Sequence, residues 1–64
     1  MTILIENIEN IRKIILNRPE KLNAITLEMA TELNSALQDA SLDSTVKCVI
    51  ITGKGRSFSS GGDV

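Results

Sequence analysis

Residues 48–64 read CVIITGKGRSFSSGGDV, and this stretch decides the fold of the chain. It begins with an apolar, β-branched run of the kind that forms a strand covered on both faces of a sheet. A short basic loop follows, then two serines and the adjacent glycines Gly61 and Gly62. Glycines lack a Cβ atom, so the main chain here can approach a ligand closely and present N–H groups to it. The stretch predicts a buried strand that leads into a pocket lined by backbone.

The residues before this stretch predict two strands and a helix. Apolar and β-rich runs at residues 3–8 and 11–16 indicate strands joined by a short polar turn. Pro19 ends the second strand, because it lacks an N–H and disfavours helical geometry at the residue before it. Thr26 is then a good N-cap for a helix that runs to about Ala40. The predicted order is strand, strand, helix, strand.

The predicted helix carries one apolar stripe. Met29, Leu33, Ala36 and Ala40 recur at helical spacing, whereas the acidic residues lie elsewhere around the helix. We expect this stripe to pack against the sheet or another helix. Outside the helix, we expect Cys48 to be buried in the last strand. We expect the ring of Phe58 to fill the core beneath the loop.

Composition limits the partners and the setting of the protein. The chain has 64 residues, seven basic and eight acidic, with a net charge of −1 and no block of one sign. That balance gives no reason to expect nucleic acid or an anionic membrane surface as a partner. A single cysteine and the lack of any signal-like or membrane-spanning segment make the cytoplasm the expected location. A chain of this length buries only about 60% of its unfolded surface, so independent folding would be marginal.

Two motifs resemble the N-terminal signatures of the crotonase family, the enoyl-CoA hydratases and isomerases. One is FSSGGDV after VIITGKG, at residues 49–64, and the other is LNRPEKLNAIT, at residues 16–26. The resemblance covers essentially the whole chain but only about the first quarter of a family member. It implies an α/β fold, the N-terminal β-β-α-β portion of the crotonase-like (ClpP/crotonase) spiral fold. Residues 1–64 are therefore expected to be the incomplete N-terminal part of a single crotonase-like domain.

The resemblance also implies which residues meet the substrate. In the family, the residue at the position of Gly62 donates its backbone N–H to the thioester carbonyl oxygen, in the oxyanion hole. The loop at Lys21, Leu22 and Ala24 would wrap the coenzyme A portion. The full implied set for substrate and coenzyme A is Lys21, Leu22, Ala24, Ser60, Gly62, Asp63 and Val64.

Other polar residues near the motifs have structural interpretations. Asn23 is expected to satisfy nearby backbone groups, and Asp63 to cap a following helix. Ser59 and Ser60 are expected to matter for their small size. The chain has no histidine, so a serine triad within it is excluded. The position of Ser59 is often Ala or Cys in the family, and that of Gly62 is often Ala.

The implied chemistry is incomplete within this chain. In hydratases of the family, two glutamates that lie well downstream handle the protons, and the second oxyanion N–H also comes from later in the chain. Glu20, Glu28 and Glu32, in the loop and on the helix, do not match those positions, and none of them is assigned a catalytic role. The chain alone is therefore expected to be inactive. The resemblance implies no metal and no redox cofactor, coenzyme A entering only as part of the substrate, and a homotrimer or a hexamer as the assembly.

Three functions remain open at this point. The first is an acyl-CoA enzyme that adds water to a 2-enoyl-CoA thioester, with an isomerase or another acyl-CoA lyase or hydrolase of the family as its alternative. The second is a non-catalytic α/β module that holds a nucleotide through residues 53–62, although the glycine spacing fits neither GxxxxGK[ST] nor GxGxxG. The third is a structural segment that binds no ligand in isolation.

Overall fold

The computed structural model describes residues 1–62. They form a three-stranded sheet with one long helix on one face, and a single turn of 3₁₀ helix in the loop between sheet and helix. The predicted strand, strand, helix, strand order is confirmed. The elements are β1 (Ile3–Ile8), β2 (Ile11–Leu16), the 3₁₀ turn (Pro19–Lys21), α1 (Leu27–Leu42) and β3 (Cys48–Gly53).

Strands β1 and β2 form an antiparallel hairpin. Ile3 lies opposite Leu16 and Ile8 lies opposite Ile11, which leaves a two-residue turn. Its first residue, Glu9, has a φ of 54°. Tight hairpins need a positive φ at this position, because such turns match the right-handed twist of the strands.

Strands β2 and β3 are parallel, with Ile14 opposite Ile51 and Leu16 opposite Gly53. A parallel pair needs a crossover connection, and α1 supplies it. Strand β2 is therefore central, and the carboxyl ends of β2 and β3 meet at the same edge of the sheet. The loops that follow these two strands, residues 17–26 (the first loop) and 54–62 (the second loop), consequently leave the sheet side by side.

The core lies between α1 and the sheet. The predicted apolar stripe is confirmed, since Met29, Ala36 and Ala40 are buried and Leu33 packs against the same cluster. Alternation along β2 places Ile14 and Leu16 on this face, where both are buried, and Ile3 at the start of β1 is buried with them. The fully buried apolar side chains are Ile14, Leu16 and Met29.

The predictions for Cys48 and Phe58 were wrong. Cys48 is exposed, Phe58 is 58% exposed, and Ile50 in the middle of β3 is 43% exposed. The helix packs across β1 and β2, and β3 is the edge strand of the described sheet. No second layer formed by residues 1–62 covers β3 or the loop after it, so the apolar composition of β3 did not produce burial.

Thr26 begins α1 as predicted. Its backbone is extended, and its hydroxyl accepts a hydrogen bond of 3.1 Å from the Met29 N–H. The helix continues two residues past the predicted end, to Leu42, and Asp43 is the C-cap. The helix therefore begins at a side-chain cap directly after the first loop, and this cap fixes where that loop ends.

We expect Thr26→Ala to lower the free energy of unfolding of the intact protein by about 1 kcal/mol, because the Met29 N–H loses its acceptor. Thr31→Ala is the matched control, since the Thr31 hydroxyl makes an exposed hydrogen bond to the Leu27 carbonyl of the same helix and caps no N–H group. Urea denaturation measures both variants. Equal stability of the two variants would contradict a capping role for Thr26.

Asp43 ties the end of α1 to the start of β2. Its carboxylate accepts hydrogen bonds from the Thr45 hydroxyl and amide, at 2.6 and 2.9 Å, and pairs with the Arg12 guanidinium at 2.9 Å. The Thr45 hydrogen bonds, together with the charge of Arg12, hold the pKa of Asp43 below its usual value of 3.8. The carboxylate is thus the favoured form in the folded chain.

This lowered pKa predicts a pH dependence of stability. A carboxyl group with a lowered folded-state pKa stabilises the protein above its unfolded-state pKa, and that contribution is lost as the pH falls through the folded-state value. Urea denaturation from about pH 7 to about pH 3 should therefore show a decline below about pH 4 that is shallower in Asp43→Asn. Asp39→Asn controls for the change in net charge. An unchanged pH profile in Asp43→Asn would refute the prediction.

Candidate functional site

The two loops that leave the sheet together are hydrogen-bonded to each other through their main chains. The Ser60 N–H donates to the Leu22 carbonyl at 3.0 Å, and the Ile25 N–H donates to the Gly61 carbonyl at 2.9 Å. Ile25 and Gly62 form a parallel bridge. The structure therefore brings together two groups of predicted site residues that the two sequence motifs place more than 30 positions apart.

The first loop holds a strained backbone. Pro19 opens the 3₁₀ turn at a position that needs no N–H donor, and the turn ends at Leu22. Leu22 and Asn23 have φ values of 52° and 55°, in the left-handed region that non-glycine residues seldom adopt. Each such residue costs of order 1 kcal/mol and persists only where surrounding contacts hold it. Most of those contacts belong to Asn23.

Asn23 is fully buried and joins the two loops. Its side-chain carbonyl accepts a hydrogen bond of 2.8 Å from the Arg18 N–H. Its amide nitrogen donates to the Lys54 and Ser57 carbonyls, at 3.0 and 2.8 Å. The prediction that Asn23 satisfies nearby backbone is confirmed, and two of its partners lie across the structure, in the second loop.

The second loop turns back on the sheet directly after β3. A Cβ atom on Gly53 would lie 2.5 Å from the carbonyl oxygens of Ser57 and Phe58, a distance that no real side chain tolerates. Glycine is therefore required here for the loop to fold back. This turn also directs the Ser57 carbonyl toward the amide of Asn23.

Gly61 and Gly62 follow at the end of the second loop. Gly61 has a φ of 103°, a conformation that L side chains rarely adopt. Its carbonyl accepts from Ile25, and in a trans peptide the next N–H lies in the same plane and points in the opposite direction to that carbonyl. The N–H of Gly62 therefore points away from Ile25, and it makes no hydrogen bond with any of residues 1–62.

The remaining predicted site residues lie around this junction. Lys21 is exposed at the end of the 3₁₀ turn, Leu22 and Ala24 are half-buried, and Ser60 and Gly62 are exposed. The predictions for Asp63 and Val64 fall outside the described residues. The structure thus places the predicted coenzyme A loop beside the predicted oxyanion residue. The expected backbone-lined pocket is not closed by residues 1–62, and the junction is an open surface.

The structure adds one residue with a specific contact, Ser59. Its hydroxyl donates to the Asn23 carbonyl at 2.9 Å and accepts from the Gly61 N–H at 3.0 Å. The sequence predicted only small size at this position. The contact to Gly61 is a local serine-turn pattern that sequence reasoning could have found. The contact to Asn23 depends on how the two loops pair, which no local signal shows.

Other features of the described chain do not point to a competing site. Two clefts, of about 450 and 380 Å³, are lined by β1 with α1 and by the end of α1 with the start of β3. Neither contains a predicted site residue. Among residues 1–62 no group of three or more His, Cys, Asp or Glu side chains is placed to hold a metal ion. The helices of this part are all too short or too polar to cross a bilayer.

Comparison with known proteins identifies the family. The sequence profile described as enoyl-CoA hydratase/isomerase matches residues 11–64. A probable enoyl-CoA hydratase of Mycobacterium bovis is 45% identical over 53 residues, which cover 83% of this chain and 19% of that protein. A probable 3-hydroxyisobutyryl-CoA hydrolase of Arabidopsis thaliana is 40% identical over 62 residues, which cover 97% of this chain and 16% of that protein.

A solved structure gives the same result for the fold. An enoyl-CoA hydratase/isomerase from Xanthobacter autotrophicus Py2 matches with a TM-score of 0.95 and 46% identity, over 98% of this chain and 23% of that one. The β-β-α-β arrangement and the paired loops are thus part of a crotonase-type fold, as the sequence motifs predicted. The chain belongs to the enoyl-CoA hydratase/isomerase family, which is a family of enzymes. It spans 16–23% of the lengths of these three proteins.

Replacement of Asn23 tests whether its amide holds the site together. Asn23→Ala should lower the free energy of unfolding of the intact protein by about 3 kcal/mol, because three backbone groups lose the partner of a part-buried hydrogen bond. Asn34→Ala, on the exposed surface of α1, is the control and should change it by less than about 0.5 kcal/mol. Urea denaturation distinguishes them, and a similar small loss in both variants would show that the two loops do not depend on Asn23.

Proposed function

We propose that this chain supplies the coenzyme A loop and one oxyanion donor of an acyl-CoA enzyme, and that the intact protein is an enoyl-CoA hydratase. The observation that supports this most strongly is the pairing of the two loops. It sets Lys21, Leu22 and Ala24 beside Gly62, whose N–H has no partner among residues 1–62. A thioester lying along the first loop would bring its carbonyl oxygen to that N–H.

The proposed reaction needs a donor at this place. When water adds to a 2-enoyl thioester, its oxygen bonds to C3 and negative charge develops on the thioester oxygen before C2 is protonated. A fixed backbone N–H stabilises that charge without reorganising, and one such donor is worth about 3 kcal/mol. The remaining donor and the glutamates that transfer protons would come from other parts of the intact protein, as the family resemblance implies.

Other reactions of the family use the same donor. An isomerase, a lyase or a hydrolase acting on acyl-CoA would also need its thioester oxygen polarised, and one of the matched relatives is named as a hydrolase. The hydratase is preferred here because the relative from M. bovis, at 45% identity, is named as one. The nucleotide module has less support, because no helix follows β3 within residues 54–62 to bind a phosphate at its N-terminus.

The setting of the intact protein is proposed on the same basis. We place it in the cytoplasm as a homotrimer or a hexamer that works without a metal or a redox cofactor. The balanced charge of −1 supports a small-molecule substrate over nucleic acid or a membrane surface. We also propose that Asp63 and Val64 contact the substrate beside Gly62.

Ligand preference tests the proposal directly. Calorimetry on the intact protein should show binding of acetoacetyl-CoA and no comparable binding of ATP. Crotonyl-CoA should be hydrated, with loss of its enoyl absorbance. Preference for ATP would refute the acyl-CoA assignment in favour of the nucleotide module. Binding of acetoacetyl-CoA without hydration of crotonyl-CoA would instead indicate another reaction of the family.

A pair of variants at Gly62 tests the donor itself. Gly62→Pro removes the N–H and should lower kcat for crotonyl-CoA by about 10²-fold to 10³-fold. Gly62→Ala retains the N–H, and its Cβ would meet no atom of residues 1–62 within 4 Å. The ratio of the two rates therefore isolates the donor from the loss of glycine. Equal kcat in both variants would show that the Gly62 N–H takes no part in the reaction.

A further inference from the structure

We propose that the hydroxyl of Ser59 is a positioning group that holds the Gly61–Gly62 peptide in the orientation that aims the Gly62 N–H at the substrate. The proposal rests on the function proposed above and assigns this residue a role beyond small size. It is a positioning role, because within residues 1–62 the hydrogen bonds of the Ser59 hydroxyl go to backbone groups.

The Ser59 hydroxyl uses both of its hydrogen-bonding capacities at the junction of the loops. It donates to the carbonyl of Asn23, the residue that is fully buried and fixed by both loops. It accepts from the N–H of Gly61. The Ser59 oxygen therefore connects Asn23, in the first loop, to Gly61, in the second loop.

Among residues 1–62, Ile25 restrains the carbonyl end of the peptide that carries the proposed donor. The Gly61 carbonyl and the Gly62 N–H belong to one planar unit, and Ile25 holds the carbonyl end of that unit at 2.9 Å. Without Ser59, no other hydrogen bond from residues 1–62 to Gly61 opposes rotation of this peptide about the bond to Ile25. The Ser59 hydroxyl accepts a hydrogen bond from the Gly61 N–H, so Gly61 is restrained at its amide as well as at its carbonyl.

The need for such a restraint follows from the residue types. Glycine loses more conformational freedom on ordering than any other residue, and Gly61 is followed by a second glycine. No atom lies within 4 Å of the Cβ position of either glycine, so packing by residues 1–62 does not hold them. Hydrogen bonds are therefore the interactions that can define where the Gly62 N–H points.

The decisive variant is Ser59→Ala in the intact protein. It removes the hydroxyl and adds no volume. We expect kcat for crotonyl-CoA to fall about threefold to tenfold, the range for loss of one neutral hydrogen bond. The affinity for free coenzyme A should stay within about twofold, since the first loop loses one hydrogen bond, to the Asn23 carbonyl, and keeps those of the Asn23 side chain. The bound thioester carbonyl, followed by difference infrared spectroscopy, should shift toward its frequency in water.

Two further variants serve as controls for Ser59→Ala. Ser59→Thr keeps a hydroxyl and should retain a carbonyl frequency close to that of the wild type. Ser57→Ala makes the same chemical change in the same loop, where the hydroxyl makes no hydrogen bond with residues 1–62 and only the backbone carbonyl is used. It should leave kcat and the carbonyl frequency unchanged.

Amide hydrogen exchange needs no substrate, so it tests the contact between Ser59 and Gly61 independently of the proposed function. Amide hydrogen exchange in the intact protein should show faster exchange at Gly61 in Ser59→Ala than in the wild type, by about threefold to tenfold, because the N–H loses its acceptor. Ser57→Ala should exchange at the wild-type rate.

Faster Gly61 exchange together with a selective loss of kcat supports the proposal. Unchanged exchange and unchanged kcat overturn it, and so does an equal loss of kcat and of coenzyme A affinity, which would mean that Ser59 only supports the loops as a whole. A wild-type protein that neither binds nor converts acyl-CoA refutes the proposed function and the catalytic part of this proposal, even if Gly61 exchange responds to Ser59→Ala.

Discussion

The buried amide of Asn23 is the interaction on which the geometry of the site depends. It is bonded to backbone groups at Arg18, Lys54 and Ser57, so its donors and its acceptor are all engaged. Inside a protein such a satisfied amide is favourable, whereas an unpaired backbone group there costs about 1–3 kcal/mol. Because its partners lie in both loops, Asn23 can be satisfied only when the loops are in register with each other. The left-handed backbone at Leu22 and Asn23 is maintained by the same set of bonds.

This amide acts on loops that the sheet has already brought together. The helix returns the chain so that β3 lies parallel to β2, and parallel strands end at the same edge. Helix α1 buries Met29 and Ala36 against the sheet, which fixes that crossover. The cap at Thr26 sets the point where the first loop must end. Packing of the core therefore brings the two loops to the same edge of the sheet, and hydrogen bonding by Asn23 sets their position relative to each other.

The sequence predicted those parts of the structure that depend on local chemistry. Pro19, the Thr26 cap and the spacing of Met29 and Ala36 are local signals, and each led to the correct element. The burial of Cys48 and Phe58 was predicted incorrectly, because burial depends on which layers cover a strand and the strand's own composition does not contain that information. The site residues came from the family resemblance, and the coupling of Ser59 to Asn23 required the tertiary structure. Local patterns thus define elements, whereas contacts between distant loops define the site.

A donor that belongs to the main chain would not by itself discriminate among the reactions of acyl-CoA thioesters. Under the proposed function, the Gly62 N–H would polarise a carbonyl in the same way whatever happens at the neighbouring carbon atoms, and Lys21 and Leu22 would meet the part of coenzyme A that all acyl-CoA substrates share. Side chains can vary around such a donor without altering it, and the open space at the Cβ position of Gly62 is an example. The chemistry common to the family would therefore lie in this chain. The choice among hydration, isomerisation and hydrolysis would be made by acids and bases that other segments bring to the same thioester.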